Sequence, residues 1–369
     1  MKLKFYAIYV IVFLTLSLHS CTTEKEVAFK VGALLPMTGS GALYGQFAYE
    51  GMQLATDEIN QNGGINGKKI EIVLEDNQSN AKDGISAFRS LIQKEVPIAL
   101  TEFSPVVVAC SPLANQTKTL LLNCGAQSPK IREGGSYVFS IIIDANVEAK
   151  NMAKFLIDSL VIDKVATYVI NTETGINTRE VFIEEFKNLG GEILTSEVHE
   201  QGATDFKSAL ARIKSTKAQA TYLISLVKES AQILKQAYEI GFKTQWLSYA
   251  SFPGPDIINI AEQSAEGAIY TYPFFDTSSK MSEEFIKLYF EKYSRNPEIY
   301  AATFYDGVKL VAEAFKNGKF SGKEIKQHFN EVKFIGVTGL TEFKEGNWVN
   351  KPVEFMTVKN GTFTKYKKK

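Results

Sequence analysis

The fold is set by the segment Phe29-Lys-Val-Gly-Ala-Leu-Leu-Pro-Met-Thr-Gly-Ser-Gly-Ala-Leu-Tyr-Gly45, which joins a predicted strand to a predicted helix. The segment begins with a short, mostly apolar run that ends at Pro36, as in a strand buried on both faces. Met52, Ala55 and Ile59 then recur at helical spacing. Because ligands of open α/β sheets collect beyond the carboxyl ends of the strands, the glycine-rich loop is a candidate binding site.

Two kinds of ligand compete for this loop, a nucleotide and a small solute. Gly39, Gly41 and Gly45 follow the pattern G-x-G-x-x-x-G, which is one residue longer than the dinucleotide fingerprint. The nearest acidic residue that could hold a ribose, Asp76, lies too far along the chain. The spacing therefore favours a cleft for a small solute. For each glycine, a turn that only allows close packing stays open as an alternative.

The N-terminus has the layout of a bacterial lipoprotein signal. Two lysines precede an apolar run over residues 5–18, which ends in Leu18-His-Ser-Cys21. We therefore expect residues 1–20 to be a signal peptide and Cys21 to be lipidated. The protein would then be anchored in the cell envelope, at the periplasmic or extracellular face. An ordinary signal peptide, or an anchor helix with an incidental cysteine, is the alternative.

The charge balance excludes a nucleic-acid binder. The 369 residues contain 41 lysines and arginines against 41 aspartates and glutamates. Removal of residues 1–20 takes away two lysines and no acidic residue, which leaves a net charge of −2 on the mature chain. Such a balance offers no basic surface for phosphates. With 45% hydrophobic residues, a chain of this length can build two domains.

The mature sequence alternates apolar runs with segments of helical periodicity, such as Thr178–Leu189 and Tyr305–Lys316. The predicted strands are Phe29–Leu35, Ile70–Glu75, Ile98–Glu102, Thr119–Asn123, Lys164–Ile170, Glu192–Val198, Ala220–Ser225, Gln245–Tyr249 and Gly267–Tyr272. The pattern is a series of alternating strands and helices that occurs two times along the chain. The predicted fold is therefore α/β, with two Rossmann-like lobes built on parallel-type sheets and a cleft between them.

No residue pattern indicates catalysis, a metal or a cofactor. His19, His199 and His328 are scattered, and no catalytic motif accompanies them. Cys110 and Cys124 lack the spacing of a redox or metal motif. They fall on a predicted helix and at the end of the next strand, so a disulfide between them is geometrically possible and stays open. We expect a protein that is not an enzyme and has no catalytic residue, metal or cofactor.

Several short motifs follow one another in a recognisable order. They are Val31-Gly-Ala-Leu-Leu-Pro-Met-Thr-Gly39, Gly63-Gly-Ile-Asn-Gly67, Glu75-Asp-Asn77, Gly125-Ala-Gln-Ser-Pro129 and Gly336-Val-Thr-Gly339. With these motifs the chain resembles the type 1 periplasmic binding proteins of the leucine/isoleucine/valine-binding (branched-chain amino acid ABC transporter) family over nearly all of its mature length. The resemblance implies two lobes that close on a ligand about a three-strand hinge.

The resemblance also implies the bounds of the lobes. Lobe 1 is expected over residues 27–144 and 273–346, and lobe 2 over residues 145–272 and 347–369. The crossovers between them are expected near Asp144–Asn146, Tyr272–Phe275 and Gly346–Pro352.

In this family one lobe holds the carboxylate of the ligand, and the corresponding positions here are Ser104, Gly125, Ala126 and Gln127. Ser104 suits this role by its own chemistry, because a hydroxyl and free N–H groups at a helix start favour an anion. Simple N-capping of the helix is the alternative for Ser104. Gln127 stands where the family usually has threonine, so that contact is altered.

The other lobe departs from the family at the residues that hold the ammonium group of the ligand. Ala250 stands where an acidic residue is usual, Leu226 where a tyrosine is usual, and Thr174 in the place of another aromatic contact. A buried ammonium without a carboxylate partner is destabilised. An unmodified α-amino acid is therefore a poor candidate for the ligand.

Aromatic residues at strand ends and crossovers are expected to wall the cavity in compensation. The residues expected to touch the ligand are Tyr44, Phe103, Tyr249 and Tyr300. Few polar groups would then fix the orientation of the solute.

These expectations describe a binding protein. We expect it to capture a small, amino acid-like or carboxylate-bearing solute between its lobes and to deliver it to an ABC permease with its ATPase. A lipid anchor would hold it on the membrane, and we expect a monomer that binds no nucleic acid. A ligand-sensing receptor module of the same fold, coupled to a membrane signalling partner, is the alternative.

Overall fold

The structure, a computed structural model, describes residues 28–275, 279–344 and 347–367. The predicted signal peptide and Cys21 lie outside these residues. Within them, no helix has the length and apolar character that crossing a membrane requires. The chain forms two large sheets whose strands are linked by helices, so the predicted α/β fold is confirmed.

The first sheet has five parallel strands in the order β2-β1-β3-β4-β5. The strands are β1 (Phe29–Leu35), β2 (Ile70–Asp76), β3 (Ile98–Thr101), β4 (Leu120–Asn123) and β5 (Val138–Ser140). The helices after the first three strands are α1 (Ala42–Gln61), α2 (Ala81–Gln93) and α3 (Ser104–Thr117). Every residue of β3 and β4 is buried, as their unbroken runs predict.

The second sheet has the order β14-β13-β10-β9-β8-β6-β7. Its parallel strands are β6 (Lys164–Ile170), β7 (Glu192–His199), β8 (Ala220–Ile224), β9 (Gln245–Ser248) and β10 (Ile269–Pro273). Two antiparallel strands, β13 (Val353–Lys359) and β14 (Thr362–Lys365), extend the sheet beyond β10, and β14 forms its edge. The helices of this part are α4 (Ala145–Phe155), α5 (Glu173–Asn188), α6 (Lys207–Thr216) and α7 (Val227–Glu239).

The remaining α-helices and strands lie in the segment between β10 and β13. They are α8 (Lys280–Tyr293), α9 (Ile299–Lys316), α10 (Gly322–Phe329) and a small hairpin of β11 (Phe334–Gly336) and β12 (Gly339–Thr341). Helix α9 is almost wholly buried and crosses α1 closely. A Cβ atom at Gly51 of α1 would lie 2.1 Å from the backbone oxygen of Ala301, so only glycine fits at this crossing.

Three segments carry the chain between the two sheets, after β5, after β10 and before β13, and they lie side by side. Ser140 donates its N–H to the oxygen of Asn347 (2.9 Å) and forms a bridge with Trp348, which joins the first and third segments. The N–H of Phe274 donates to the oxygen of Pro352 (3.1 Å), which joins the second and third. The bounds of the two lobes within these segments stay a prediction, and Gly346 lies outside the described residues.

Two helices, α5 and α9, start earlier than their apolar spacing predicts. Helix α5 begins at Glu173 instead of Thr178, because the Thr172 hydroxyl accepts the N–H of Gly175 (3.1 Å) and caps it. Helix α9 begins at Ile299 instead of Tyr305, because the carboxylate of the preceding residue caps its first turn. Caps of this kind precede the first apolar repeat and leave no periodic signal.

The two cysteines of the described chain, Cys110 and Cys124, are both free and buried. Cys110 packs on α3 in one apolar cluster, and Cys124 follows β4 in another. The disulfide that the sequence leaves open is therefore not formed.

Candidate ligand-binding site

A cavity lies between the two lobes, at the carboxyl ends of β3 and β4 on one side and of β6, β8 and β9 on the other. Its volume is about 120 Å³, which is space for several water molecules or one small solute. Its walls are Tyr44, Glu102, Phe103, Ser104, Pro105, Gly125, Ala126, Gln127, Ile170, Thr172, Glu173, Thr174, Gln201, Leu226, Tyr249, Ser251 and Tyr300. Among these described residues there is no lysine, arginine or histidine.

The structure brings the residues predicted from the sequence to this one cavity, with Ala250 as the exception. Ala250 is fully buried, and its N–H donates to Oε2 of Glu148 (3.0 Å). Ala250 therefore does not line the solute space. Contact of the other predicted residues with a ligand stays a prediction.

Ser104 is the first residue of α3, and Phe103 occupies the N-cap position with a positive φ of 74°. The Ser104 hydroxyl does not cap the helix. Its oxygen instead accepts the N–H of Ser128 (3.1 Å), from the loop after β4. Among the described residues the hydroxyl proton has no acceptor, so it is available to an anionic group of a ligand beside the helix N-terminus.

The loop after β4 offers fewer free donors than the resemblance implies. Oδ1 of Asn123 accepts the N–H groups of Gly125 (3.2 Å) and Ala126 (2.7 Å), which occupies both. The side-chain amide of Gln127 donates to the buried carboxylate of Glu148. Ser104 is therefore the clearest donor for a carboxylate in this wall.

Tyr44 joins the two lobes across the cavity. Its hydroxyl donates to the oxygen of Ser251 (3.2 Å) and accepts the N–H of Val227 (3.0 Å). The Tyr300 ring lies edge-on to Tyr44 at 5.2 Å, and its hydroxyl is 3.3 Å from Oγ of Ser251. Burial raises the pKa of Tyr44 well above its usual value, so this phenol stays neutral.

Polar contacts at the mouth of the cavity also join the lobes. Nε2 of Gln201 donates to Oγ of Ser40 (2.5 Å), and Oγ of Ser128 donates to Glu173 (3.3 Å). Lys130 lies 3.3 Å from the same Glu173 carboxylate. Together with the Tyr44 contacts, these bonds hold the lobes in a closed arrangement.

The second lobe carries no acidic side chain at the two positions where the resemblance implies an ammonium clamp. Leu226 stands at the N-cap position of α7 without a side-chain hydrogen bond, and Tyr249 lies beside it in the cavity wall. Glu229 lies in the first turn of α7, where it accepts the N–H of Gly202 (3.0 Å), and does not line the cavity. There the negative charge of the Glu229 carboxylate interacts favourably with the positive end of the helix dipole, as its sequence position predicts.

Sequence reasoning missed several residues of the wall, of which Glu102 is chemically the most distinct. It is 2% exposed and directly follows β3. The sequence feature that could have identified Glu102 is its position at the carboxyl end of a predicted buried strand, where side chains of a parallel sheet contact ligands. Glu173, Gln201 and Ser251 lie on loops and helix starts whose mutual distance no local pattern reveals.

The described residues contain no group of three or more metal-ligating side chains. His199 lies outside the cavity wall, where Nε2 is 3.0 Å from Oγ of Ser225, and burial lowers its pKa. Among the described residues of the wall, neither Ser104 nor Ser251 forms a hydrogen bond with a carboxylate or a histidine.

Comparisons with known proteins agree with this geometry. The model of the periplasmic binding protein family matches residues 28–362, so the chain belongs to that family. Its members are extracytoplasmic solute-binding proteins of ABC-transporter type. Within the family, the branched-chain amino acid group that the sequence resembles is confirmed by the relatives below.

Leu/Ile/Val-binding protein homolog 1 of Brucella abortus is 26% identical over 288 residues, which cover 78% of this chain and 77% of that protein. LivJ of Streptococcus pneumoniae, a branched-chain amino acid transporter substrate-binding protein solved in complex with isoleucine, has a TM-score of 0.86 and 30% identity over 91% of this chain and 98% of its own. The leucine-binding protein LivK of Thermotoga maritima also has a TM-score of 0.86, with 25% identity over 92% of this chain and 98% of its own.

Proposed function

We propose that the protein is an exported, lipid-anchored receptor that captures a small carboxylate-bearing solute between its lobes and delivers it to an ABC permease and its ATPase. The observation that supports this most is the cavity itself, which is closed by Tyr44 contacts from one lobe to the other. A closed form that ligand stabilises lets a permease distinguish a loaded receptor from an unloaded one.

The ligand is proposed to be an amino acid-like carboxylate other than a free branched-chain amino acid. LivJ binds isoleucine and LivK binds leucine, and Ser104 retains a donor for a carboxylate in this chain. The ammonium side differs, because Ala250 does not line the cavity and Leu226 offers no charge. Micromolar affinity requires about 8 kcal/mol, which a buried cleft of mostly apolar walls can supply.

The test is a thermal-shift panel of amino acids, aliphatic and aromatic carboxylates, amides and short peptides, followed by calorimetry on any compound that raises the melting temperature. A carboxylate compound that binds, and that is recovered chemically unchanged after incubation with the protein, supports the proposed solute-binding function. Turnover of the compound, or no shift with any member of the panel, would count against the proposal.

The anchor is tested separately by membrane fractionation. We expect the native chain to sediment with membranes as a lipidated form without its signal peptide. The Cys21→Ala variant should give no lipidated form. Any of it that sediments with membranes should still carry the uncleaved signal peptide. Size-exclusion chromatography of the released chain is expected to show a monomer.

A further inference from the structure

Glu102 has a buried carboxyl oxygen, Oε1, that the described residues leave without a hydrogen-bond partner. Its side chain is 2% exposed and lines the cavity. Oε1 is shielded from solvent and has no hydrogen-bond partner among the described residues. Because buried polar atoms in folded proteins are nearly always hydrogen-bonded, an unpartnered carboxyl oxygen in a cavity wall points to a partner on the ligand.

The surroundings of the carboxyl group are shaped to hold it there. A Cβ atom at Gly125 would lie 2.7 Å from Oε2 of Glu102 and 3.1 Å from Cδ1 of Tyr300. A side chain at position 125 would therefore displace the carboxyl group from its place beside the Tyr300 ring. The glycine gives Glu102 room within the wall of the solute space.

The other charged groups of the cavity define what Glu102 can bind. Glu173 is the second carboxylate of the wall, but it is half-exposed and lies 3.3 Å from Nζ of Lys130. No cationic side chain is found among the described residues of the wall. A second carboxylate on the ligand would therefore have no cationic partner in the described wall, whereas an N–H group would satisfy Oε1.

The protonation state makes two ligand types distinguishable. Burial, with Glu298 nearby, raises the pKa of Glu102 well above its usual value. The raised pKa favours the protonated form of the carboxyl group. An ammonium bound beside it favours the carboxylate, so the proton passes to the buffer, whereas a neutral amide leaves the proton in place.

We propose that Glu102 is a ligand-binding residue that selects solutes carrying an N–H group, an ammonium or a primary amide, at the end opposite their carboxylate. The proposal rests on the function proposed above, because it takes the carboxylate end to lie at Ser104. It adds the chemical class of the other end.

Four probes of eight non-hydrogen atoms test it by calorimetry with the mature protein at pH 7. They are 4-methylpentanoate, with an apolar end, succinamate, with an amide end, succinate, with a second carboxylate, and 5-aminopentanoate, with an ammonium end. We expect succinamate or 5-aminopentanoate to bind at least ten-fold more tightly than 4-methylpentanoate and succinate. Titrations of both N–H probes in phosphate and in Tris distinguish the two types. Proton release on binding of the ammonium makes its binding enthalpy depend on the buffer, whereas binding of the amide releases no proton.

Glu102→Leu removes the acceptor and keeps an apolar side chain. We expect it to lose the preference for the N–H probe and to bind 4-methylpentanoate at least as well as the native protein does. Its melting temperature should equal or exceed the native value, because the substitution removes a buried unpartnered carboxyl group. Glu229→Leu is the matched control, since Glu229 is buried but lies outside the wall, and the N–H preference should persist in it.

The outcomes separate this inference from the function on which it rests. Tighter binding of 4-methylpentanoate or succinate than of both N–H probes would overturn the role of Glu102 and leave solute capture intact. Absence of binding by both N–H probes would overturn it as well. Loss of the N–H preference in Glu229→Leu but not in Glu102→Leu would assign the role to Glu229. If no solute of the wider panel binds, the proposed function itself fails.

Discussion

The hydroxyl of Tyr44 donates to the backbone oxygen of Ser251 over 3.2 Å, although 207 positions of sequence separate the two residues. Tyr44 lies on α1 after the first strand of one sheet, and Ser251 follows β9 of the other. The same hydroxyl accepts the N–H of Val227 at 3.0 Å. One side chain of the first lobe thus meets two backbone groups of the second lobe at the cavity wall.

Tyr44→Phe is therefore expected to weaken closure without disturbing either lobe. Two hydrogen bonds between the lobes are lost, each contributing about 1 kcal/mol, and affinity for the tightest solute of the panel should fall by about ten-fold or more. Tyr238→Phe is the control, because Tyr238 is exposed and its hydroxyl contacts Gln263 within the second lobe. Equal affinities of the two variants would show that Tyr44 does not hold the lobes together.

Ser104→Ala is expected to weaken binding of a carboxylate solute. The hydroxyl proton has no acceptor among the described residues, and a charge-assisted hydrogen bond to an anion contributes about 1.5–3 kcal/mol, so affinity should fall roughly ten-fold to a hundred-fold. Calorimetry on the exposed Ser215→Ala control should give the native affinity. A Ser104→Ala protein that binds as tightly as the native one would remove Ser104 from the site.

Free leucine is expected to bind more weakly than 4-methylpentanoate, the same molecule without its amino group. The ammonium of leucine would be buried where neither Leu226 nor Ala250 provides a carboxylate. A competition assay against the tightest panel compound measures the difference directly. Tighter binding of leucine would mean that another acid of the wall serves as its partner.

Stability is expected to decrease as the pH rises through the acidic range. Burial raises the pKa values of Glu148 and Glu298 to about 7 from an ordinary value of 4.5. Between pH 4.5 and 7 the folded protein holds protons that the unfolded chain releases, so the free energy of unfolding falls with rising pH in that window. Carboxylates with lowered pKa values, such as Asp76, act in the opposite direction. The stability that Asp76 contributes is lost only when the pH falls below its ordinary pKa of 3.8.

Urea unfolding at pH 5.5 and 7.5 measures this effect. We expect the free energy of unfolding to be greater at pH 5.5, by on the order of 1 kcal/mol or more. Greater stability at pH 7.5 would contradict it and would mean that both carboxylates are stabilised as anions by their hydrogen-bond donors.

The sequence predicts the fold closely because buried parallel strands leave long apolar runs. The bounds of β1 and β6 coincide with their predicted runs, while β5, with three residues, is too short to stand out. The cavity wall is predictable in part for the same reason. Ser104 and Gly125 follow the carboxyl ends of β3 and β4, where the fold brings the loops of a parallel sheet together.

The remainder of the site depends on side-chain direction, which strand and helix patterns do not determine. Ala250 lies one residue from Tyr249 and one from Ser251, yet only those neighbours line the cavity. The sequence predicts Glu102 as the last residue of a strand. Its unpartnered oxygen is evident only from the structure, where Gly125 and Tyr300 lie against the carboxyl group.

Small-angle X-ray scattering tests most directly whether two lobes enclose a solute. The central claim predicts that a compound found to bind reduces the radius of gyration of the native protein. It also predicts that Tyr44→Phe needs a higher concentration of that compound to reach the same compact form. The central claim would be contradicted if the protein is open without the compound and its radius of gyration stays unchanged when the compound is saturating.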